Sequence, residues 1–186
     1  MKTMIRLLLT LNCCWLAGGA MAQAADTPST NAGPVRIGVY DSRAVAYAWF
    51  SSEEHQAWIK RQMQAARAAK AEGQTNHWQQ LGTALRQHQE EMHREVFSTA
   101  PATNALVVLQ QQLPEIKKQA GAVALVSQWD DETLRQYPNA EKVDVTDQLV
   151  REFKPAETQL KVIADLRRQK PLSLEKCDEL IRKGEI

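Results

Sequence analysis

Apolar residues recur at heptad spacing in two long segments of the chain. From Val45 to Lys70 the seam positions follow one another at alternating steps of four and three residues. From Trp78 to Glu95 they follow the same rule with steps of three and four. A helix that packs along one seam has this spacing, so each segment is predicted to be a long helix.

Two interruptions organise this helical region. The sequence GQTN at residues 73–76 predicts a turn, which makes the region at about 43–120 an antiparallel helical hairpin. The sequence FSTAPAT at residues 97–103 predicts a break within the returning helix, with Thr103 as the N-cap where the helix resumes. Because sites are often built where a regular element is interrupted, this break is a candidate site.

Short apolar runs on either side of the hairpin predict three strands. They lie at about 35–40, 122–128 and 141–145. The predicted fold class is therefore α+β, a small β-sheet body carrying a long antiparallel α-helical hairpin arm, with extra C-terminal helices in residues 155–186.

The first residues have the pattern of a signal peptide. A positive start, an apolar stretch too short to span a bilayer and small residues before Ala22 and Ala24 predict cleavage after one of those two alanines. An uncleaved anchor is the alternative interpretation. Residues 1–24 are therefore excluded from the fold, residues 25–34 are a polar linker, and the protein is expected in the periplasm with no stable membrane span.

Removing the leader changes the charge and the cysteine count. The whole chain has 23 basic and 22 acidic residues, and loss of Lys2 and Arg6 leaves 21 against 22. A nearly neutral chain gives no reason to expect nucleic acid as a partner. Cys177 is then the sole cysteine, so no internal disulfide is possible.

Two stretches resemble a known family. RIGVYDSRAVAYAW near the start and AVALVSQWDDETLRQYPNAEKVDVTDQLVREF near the end are similar to the front and back of the OmpH/Skp-like periplasmic chaperone family, and the resemblance covers roughly residues 35–154. It implies a homotrimer whose three arms enclose unfolded or outer-membrane client proteins, without catalysis and without a cofactor. The neutral charge, the break at 97–103 and the C-terminal extension depart from that family.

Aromatic and thioether side chains on the predicted arm are candidates for client contact. Exposed aromatic residues suit the binding of unfolded chains, while the alternative is that these side chains fill the core of the hairpin and trimer. The candidate client-binding residues are Trp49, Trp58, Met63 and Trp78.

A second hypothesis is an envelope binding protein that uses the break near residues 93–103 for a small ligand or a partner. If the first two strands are parallel neighbours, the polar residues that follow them lie at one edge of the sheet. Helix caps and surface ion pairs are the alternative explanation of the same residues. The candidate ligand site comprises Asp41, Arg43, His93, Ser98, Thr99, Trp129 and Asp130.

The histidines and hydroxyls predict neither a metal site nor catalysis. Glu90 and His93 have metal-ligand spacing, but the motif occurs once, and His88 and His93 are five residues apart and so lie on different helix faces. No nucleophile elbow or glycine-rich phosphate loop follows the leader. An enzyme built on the break is the weakest of the three functional hypotheses.

Overall fold

The computed structural model describes residues 34–186, and the predicted signal peptide and nearly all of the predicted linker lie outside them. Three strands and nine helices occur in this range. In chain order they are β1 (Arg36–Tyr40), α1 (Ser42–Phe50), α2 (Glu53–Ala71), α3 (Thr75–Phe97), α4 (Thr103–Val108), α5 (Leu113–Gln119), β2 (Ala124–Ser127), α6 (Asp131–Leu134), β3 (Glu141–Asp144), α7 (Thr146–Arg151), α8 (Glu157–Arg168) and α9 (Leu174–Lys183).

The sheet has the order β2-β1-β3, and both pairs are parallel. Parallel strands need crossover connections, which α1 to α5 supply from β1 to its neighbour β2, and α6 supplies from β2 across β1 to β3. Gly38 permits the close packing of the central strand, because a Cβ there would lie 2.7 Å from the Leu125 side chain and 3.2 Å from Val145. All three strands therefore end at the same edge of the sheet, where α1 and α7 begin.

The core is built around α1, which is buried on nearly all sides. Its small and β-branched residues let α3, α4, α7 and α8 pack closely against it. The fully or almost fully buried apolar side chains of this helix are Ala44, Val45, Ala46, Ala48 and Phe50.

The first predicted helix is divided in two. α1 ends at Phe50, and α2 begins at Glu53 with Ser52 as its N-cap, whose hydroxyl accepts a hydrogen bond from the His55 amide at 3.2 Å. The prediction of one continuous helix from Arg43 was wrong because a serine in extended conformation satisfies the start of a new helix. α1 consequently belongs to the core, while α2 leaves it.

α2 and α3 lie side by side after a tight turn at Gly73, which has a φ of +71°. Over their 19 and 23 residues, just four side chains are buried, namely His55, Ala69, Glu95 and Val96. These two helices therefore leave most of their surface, including much of their apolar seam, uncovered by the rest of the described chain.

The predicted architecture was wrong, although the class is α+β-like. The sheet is small and all-parallel, the described chain is mostly helical, and residues 43–120 do not form one long antiparallel hairpin arm. The region divides into five helices, of which α1 and α4 pack on each other in the core. The predicted helix from Thr103 to Ala120 also divides, because Pro114 lacks an N–H and occupies the first turn of a new helix, α5.

The two C-terminal helices pack on different parts of the body. α8 contacts α1, and α9 contacts α3. Between them, Leu172 forms an isolated parallel bridge with Ser98. Within residues 34–186, no helix has both the length and the apolar character needed to cross a bilayer.

Candidate functional site

Asp41, Arg43 and Trp129 meet at the edge where the strands end. The Asp41 carboxylate accepts hydrogen bonds from the backbone N–H of Arg43 at 3.0 Å, from the guanidinium at 3.0 and 3.2 Å, and from the indole N–H of Trp129 at 3.1 Å. The guanidinium carbon of Arg43 lies 5.0 Å from the Trp129 ring centroid. The sequence placed these residues at one edge of the sheet, and the parallel register brings them into contact.

This cluster is closed to a ligand. Asp41 and Arg43 are each 1% exposed, and the Asp41 backbone N–H donates to the Thr146 hydroxyl at 3.0 Å. Both charges are neutralised by each other, and both carboxylate oxygens already accept hydrogen bonds. The arrangement ties the ends of β1, β2 and β3 together, which is a structural role.

Asp130 does not join this cluster. It is exposed and caps α6, because its carboxylate accepts from the Thr133 hydroxyl at 2.6 Å and the Thr133 amide at 3.0 Å. The Thr133 hydroxyl, and then its amide, hold the pKa of Asp130 below its ordinary value.

Tyr40, at the end of β1, is the other titratable group near this edge of the sheet. Burial, with a contribution from the Asp130 charge, raises the pKa of Tyr40 to about 12, so this phenol stays neutral.

Ser98 and Thr99, at the predicted break, also have internal partners. The Ser98 hydroxyl donates to the Arg94 carbonyl at 2.6 Å and accepts from the Ala100 amide at 3.1 Å, and the Thr99 amide donates to the Leu172 carbonyl at 3.2 Å. The Ser42 hydroxyl donates to the Ala100 carbonyl at 2.9 Å. The break therefore lies against the start of α1, where it turns the chain from α3 into the core.

His93 lies away from Ser98 and Thr99, on the side of α3 that faces α9. Its carbonyl is 3.7 Å from the Cys177 sulfur, and its ring centroid is 5.8 Å from that of Phe97. Burial lowers the pKa of the His93 imidazole. Of the seven residues predicted as a ligand site, the strand-end cluster and the break thus lie side by side at the start of α1, whereas Asp130 caps α6 and His93 lies on the α9 side of α3.

The candidate client-binding residues differ in exposure. Trp58, Met63 and Trp78 have 36%, 43% and 37% of their surface exposed, all on α2 or α3. Trp49 is half-buried in α1, with its ring 5.4 Å from that of His55 and 5.8 Å from that of Phe153. Three of the four side chains are therefore available to a partner, whereas Trp49 packs between His55 and Phe153.

The groove between α2 and α3 contains a cavity of about 350 Å³. Ile59 and Leu85, from the two predicted seams, line it without being fully buried. Lys70 lies 5.0 Å above the Trp78 ring, near the turn. The seam that the heptad pattern predicts is thus present but only partly filled.

The charges of α2 and α3 are segregated along their length. Residues 56–89, here called the basic segment, contain five basic residues and one acidic residue, Glu72, a formal net charge of +4. The acidic residues of these helices otherwise lie nearer the core, at Glu53, Glu54, Glu90, Glu91 and Glu95. The nearly neutral total charge therefore conceals a positive region around Met63 and Trp78.

Sequence reasoning missed one pair of functional groups. The Nε2 atoms of His55 and His88 face each other at 2.7 Å, next to the rings of Phe50 and Trp58. The heptad pattern assigned Gln56 rather than His55 to the seam, because it treated α1 and α2 as one helix. The two histidines lie 18 and 15 residues from Gly73 on either side of the turn, within one helical turn of the same height, and this was the signal that could have paired them.

Comparisons with protein-family models, with curated proteins and with solved structures find no match to this chain. The resemblance to the OmpH/Skp-like family therefore stays a prediction.

Proposed function

We propose that this protein is a periplasmic holdase-type chaperone that binds unfolded or outer-membrane proteins along α2 and α3. The observation that carries the proposal is the exposure of Trp58, Met63 and Trp78 on α2 and α3. All three side chains lie in the basic segment, which has a formal net charge of +4. The proposal requires no catalytic step.

The apolar part of the surface suits an unfolded chain. Large exposed apolar groups cost solvation free energy unless a partner covers them, and aromatic and methionine side chains adapt to partners of varied shape. Because α2 and α3 bury little of each other, their groove can change width without breaking a packed core.

The charge of the basic segment suits acidic clients. Five basic side chains around the exposed apolar groups attract an acidic polypeptide at long range, and this attraction weakens with salt. By contrast, the strand-end cluster and the break have their polar groups paired internally, which favours the chaperone hypothesis over a small-ligand site there.

The apolar contribution is tested by the double variant Met63→Ser/Trp78→Ser. An unfolded outer-membrane protein is diluted from urea into a few-fold molar excess of the chaperone, and aggregation is followed by light scattering. We expect the wild-type protein to suppress aggregation and the variant to lose at least half of that suppression. The matched control is Leu160→Ser/Val162→Ser, which removes two side chains on α8 that are each 43% exposed and should change nothing.

The charge contribution is tested by Lys60→Gln/Arg67→Gln. This variant should capture an acidic client more weakly and with a smaller salt dependence, whereas Lys117→Gln/Lys118→Gln on α5 should behave as wild type. The proposal would be overturned if the wild-type protein did not suppress aggregation of the client. It would also be overturned if Met63→Ser/Trp78→Ser suppressed aggregation as well as Leu160→Ser/Val162→Ser does.

A homotrimer is part of the proposal, since a small sheet and an open helix pair gain stability from association. Light scattering over a range of concentrations measures the assembly. If Met63→Ser/Trp78→Ser dissociates the assembly while client binding is retained, the exposed surface is a subunit interface and the client site lies elsewhere.

A further inference from the structure

His55 and His88 bring two imidazole nitrogens together at the core end of the α2–α3 pair. His55 lies in the first turn of α2 and is 3% exposed, while His88 is half-buried on α3. Their Nε2 atoms are 2.7 Å apart. A contact this short between two ring nitrogens requires that one of them carries a hydrogen and the other a lone pair.

The Phe50 carbonyl determines which nitrogen of His55 has the lone pair. It lies 2.8 Å from Nδ1 of His55, and a carbonyl oxygen only accepts hydrogen bonds. The hydrogen of neutral His55 is therefore on Nδ1, which leaves the lone pair of Nε2 directed at His88. A histidine that binds a metal through one ring nitrogen usually donates the N–H of the other to a backbone carbonyl or carboxylate, as Nδ1 of His55 does here.

His88 can present a second lone pair to the same point. Moving its hydrogen from Nε2 to Nδ1 is a change of tautomer that releases no proton, and it leaves both Nε2 lone pairs converging. Both imidazoles are shielded from water, His55 almost completely and His88 in part, and a neutral imidazole is the form that binds metals.

The surroundings of the pair select the kind of metal. Among residues 34–186, no cluster of three or more His, Cys, Asp or Glu side chains is placed to hold a metal ion, so the four ligands that Zn²⁺ requires are not assembled. Met92 is one helical turn beyond His88 on the same face and lines the same cavity of about 350 Å³. Imidazole and thioether ligands in small number suit the soft monovalent ion Cu(I).

We propose that His55 and His88 bind a single Cu(I) ion between their Nε2 atoms, with the Met92 thioether as a third ligand. A metal–nitrogen distance of about 2 Å on each side requires the nitrogens to move from contact to about 3.5–4 Å apart. His88 supplies this movement, because it is half-buried on a helix that borders an open groove, whereas the Phe50 carbonyl holds His55.

The Trp58 ring supplies both a contact and a reporter. Its centroid is 4.8 Å from that of His88 and 6.0 Å from that of His55. A cation held by the pair lies close enough for attraction to the indole face, and binding should change its fluorescence.

The test uses Ag(I), a redox-stable probe with the ligand preferences of Cu(I), and then Cu(I) itself under anaerobic conditions against a chromogenic chelator. Because thiols bind both ions, Cys13, Cys14 and Cys177 are replaced by serine in the full chain. We expect one equivalent of metal to quench tryptophan fluorescence. Circular dichroism and thermal unfolding establish that each variant is folded.

The decisive variant is His88→Gln, which keeps a polar side chain on α3 and removes one ligand. It should weaken binding by about a hundredfold, and Met92→Leu by about tenfold. The matched control is His77→Gln, an exposed histidine on the same helix, which should leave binding unchanged.

Nitrogen-detected NMR of the imidazoles gives a readout that does not depend on the variants. Addition of Ag(I) should shift Nε2 of both His55 and His88 and leave His77 and His93 in place. Absence of stoichiometric Ag(I) and Cu(I) binding, equal affinity of His88→Gln and wild type, or shifts confined to other histidines would overturn the proposal. Tighter binding of Zn²⁺ than of Cu(I) under the same competition would overturn the choice of metal.

Discussion

At the scale of single residues, the Asp41–Arg43 pair shows how a local signal acquires a long-range role. An aspartate directly before a helix predicts an N-cap, and Asp41 does cap α1. The sequence does not reveal that the same carboxylate accepts from Trp129, 88 residues away, or that Arg43 is fully buried. Because water does not reach these two charges, each is stabilised mainly by the other. Removal of one therefore leaves the other as an unpaired charge in an apolar environment.

Asp41→Asn should lower the free energy of unfolding by about 3–5 kcal/mol, because the cap is retained while Arg43 is left as a buried unpaired charge. Urea unfolding followed by fluorescence measures the change. The double variant Asp41→Asn/Arg43→Met should recover a substantial part of the loss, since no charge then remains buried. A double variant no more stable than Asp41→Asn would contradict this explanation.

At the scale of elements, the junction between α3 and α4 is capped from outside its own segment. Thr103 was expected to be the N-cap of the resumed helix, but the cap position is Ala102, which has no hydrogen-bonding side chain. The Glu95 carboxylate of α3 instead accepts from the Asn104 amide at 3.2 Å and from its side chain at 2.8 Å. A cap supplied by another helix cannot be recognised from the residues that precede the capped one.

The contribution of Glu95 to the free energy of unfolding depends on pH. It is 6% exposed, and its buried Oε2 has no hydrogen-bond partner among residues 34–186. Burial raises its pKa above the ordinary value of 4.5, against the opposing effect of Asn104. The folded chain then binds this proton more tightly than the unfolded chain, so the stability from this group is fully present below pH 4.5 and is lost as the pH rises through the folded pKa.

Glu95→Gln should therefore raise the free energy of unfolding near neutral pH by about 1 kcal/mol, since the amide stays uncharged and retains an acceptor for Asn104. The advantage over wild type should shrink as the pH falls toward 4.5. Urea unfolding at several pH values measures this difference. Glu152→Gln, an exposed substitution at the end of α7, is the control and should show no such trend. A constant difference across the pH range would exclude titration of Glu95 as the cause.

At the scale of the whole molecule, the C-terminal segment completes the base of α3. The sequence predicts two helices after residue 155 but not their contacts. Cys177 of α9 is fully buried, and Arg94 of α3 forms an ion pair with Asp178 at 2.5 Å. In the segment between α8 and α9, Leu172 adds the bridge to Ser98 and accepts the hydrogen bond from the Thr99 amide.

Removal of residues 169–186 should loosen the break without unfolding the sheet. The Thr99 amide loses its acceptor, the Leu172 carbonyl, and should exchange with solvent at least about tenfold faster. The Val145 amide, which donates to the Val39 carbonyl at the end of the sheet, is the internal control and should keep its protection. Hydrogen exchange by NMR measures both. Unchanged protection of Thr99 would show that α3 and α4 hold the break by themselves.

The sequence by itself determined the local features of this protein. The three strands lie within the stretches that apolar runs predict, Gly73 ends α2, and Asp41 caps α1. Each of these depends on interactions within a few residues, which spacing and residue type encode directly. Met63 and Trp78, by contrast, lie on the predicted seams, and their exposure follows from the incomplete packing of α2 against α3.

Only the tertiary structure decided how distant segments meet. The parallel pairing of β1 with β2 and β3, the burial of α1 and the docking of α9 depend on contacts across dozens of residues. The His55–His88 pair and the place of the break follow from the restart of the helix at Ser52 and from the pairing of Ser98 with Leu172. Local periodicity specifies which face of an element is apolar, but the partner that covers that face is selected by the free energy of packing the whole chain.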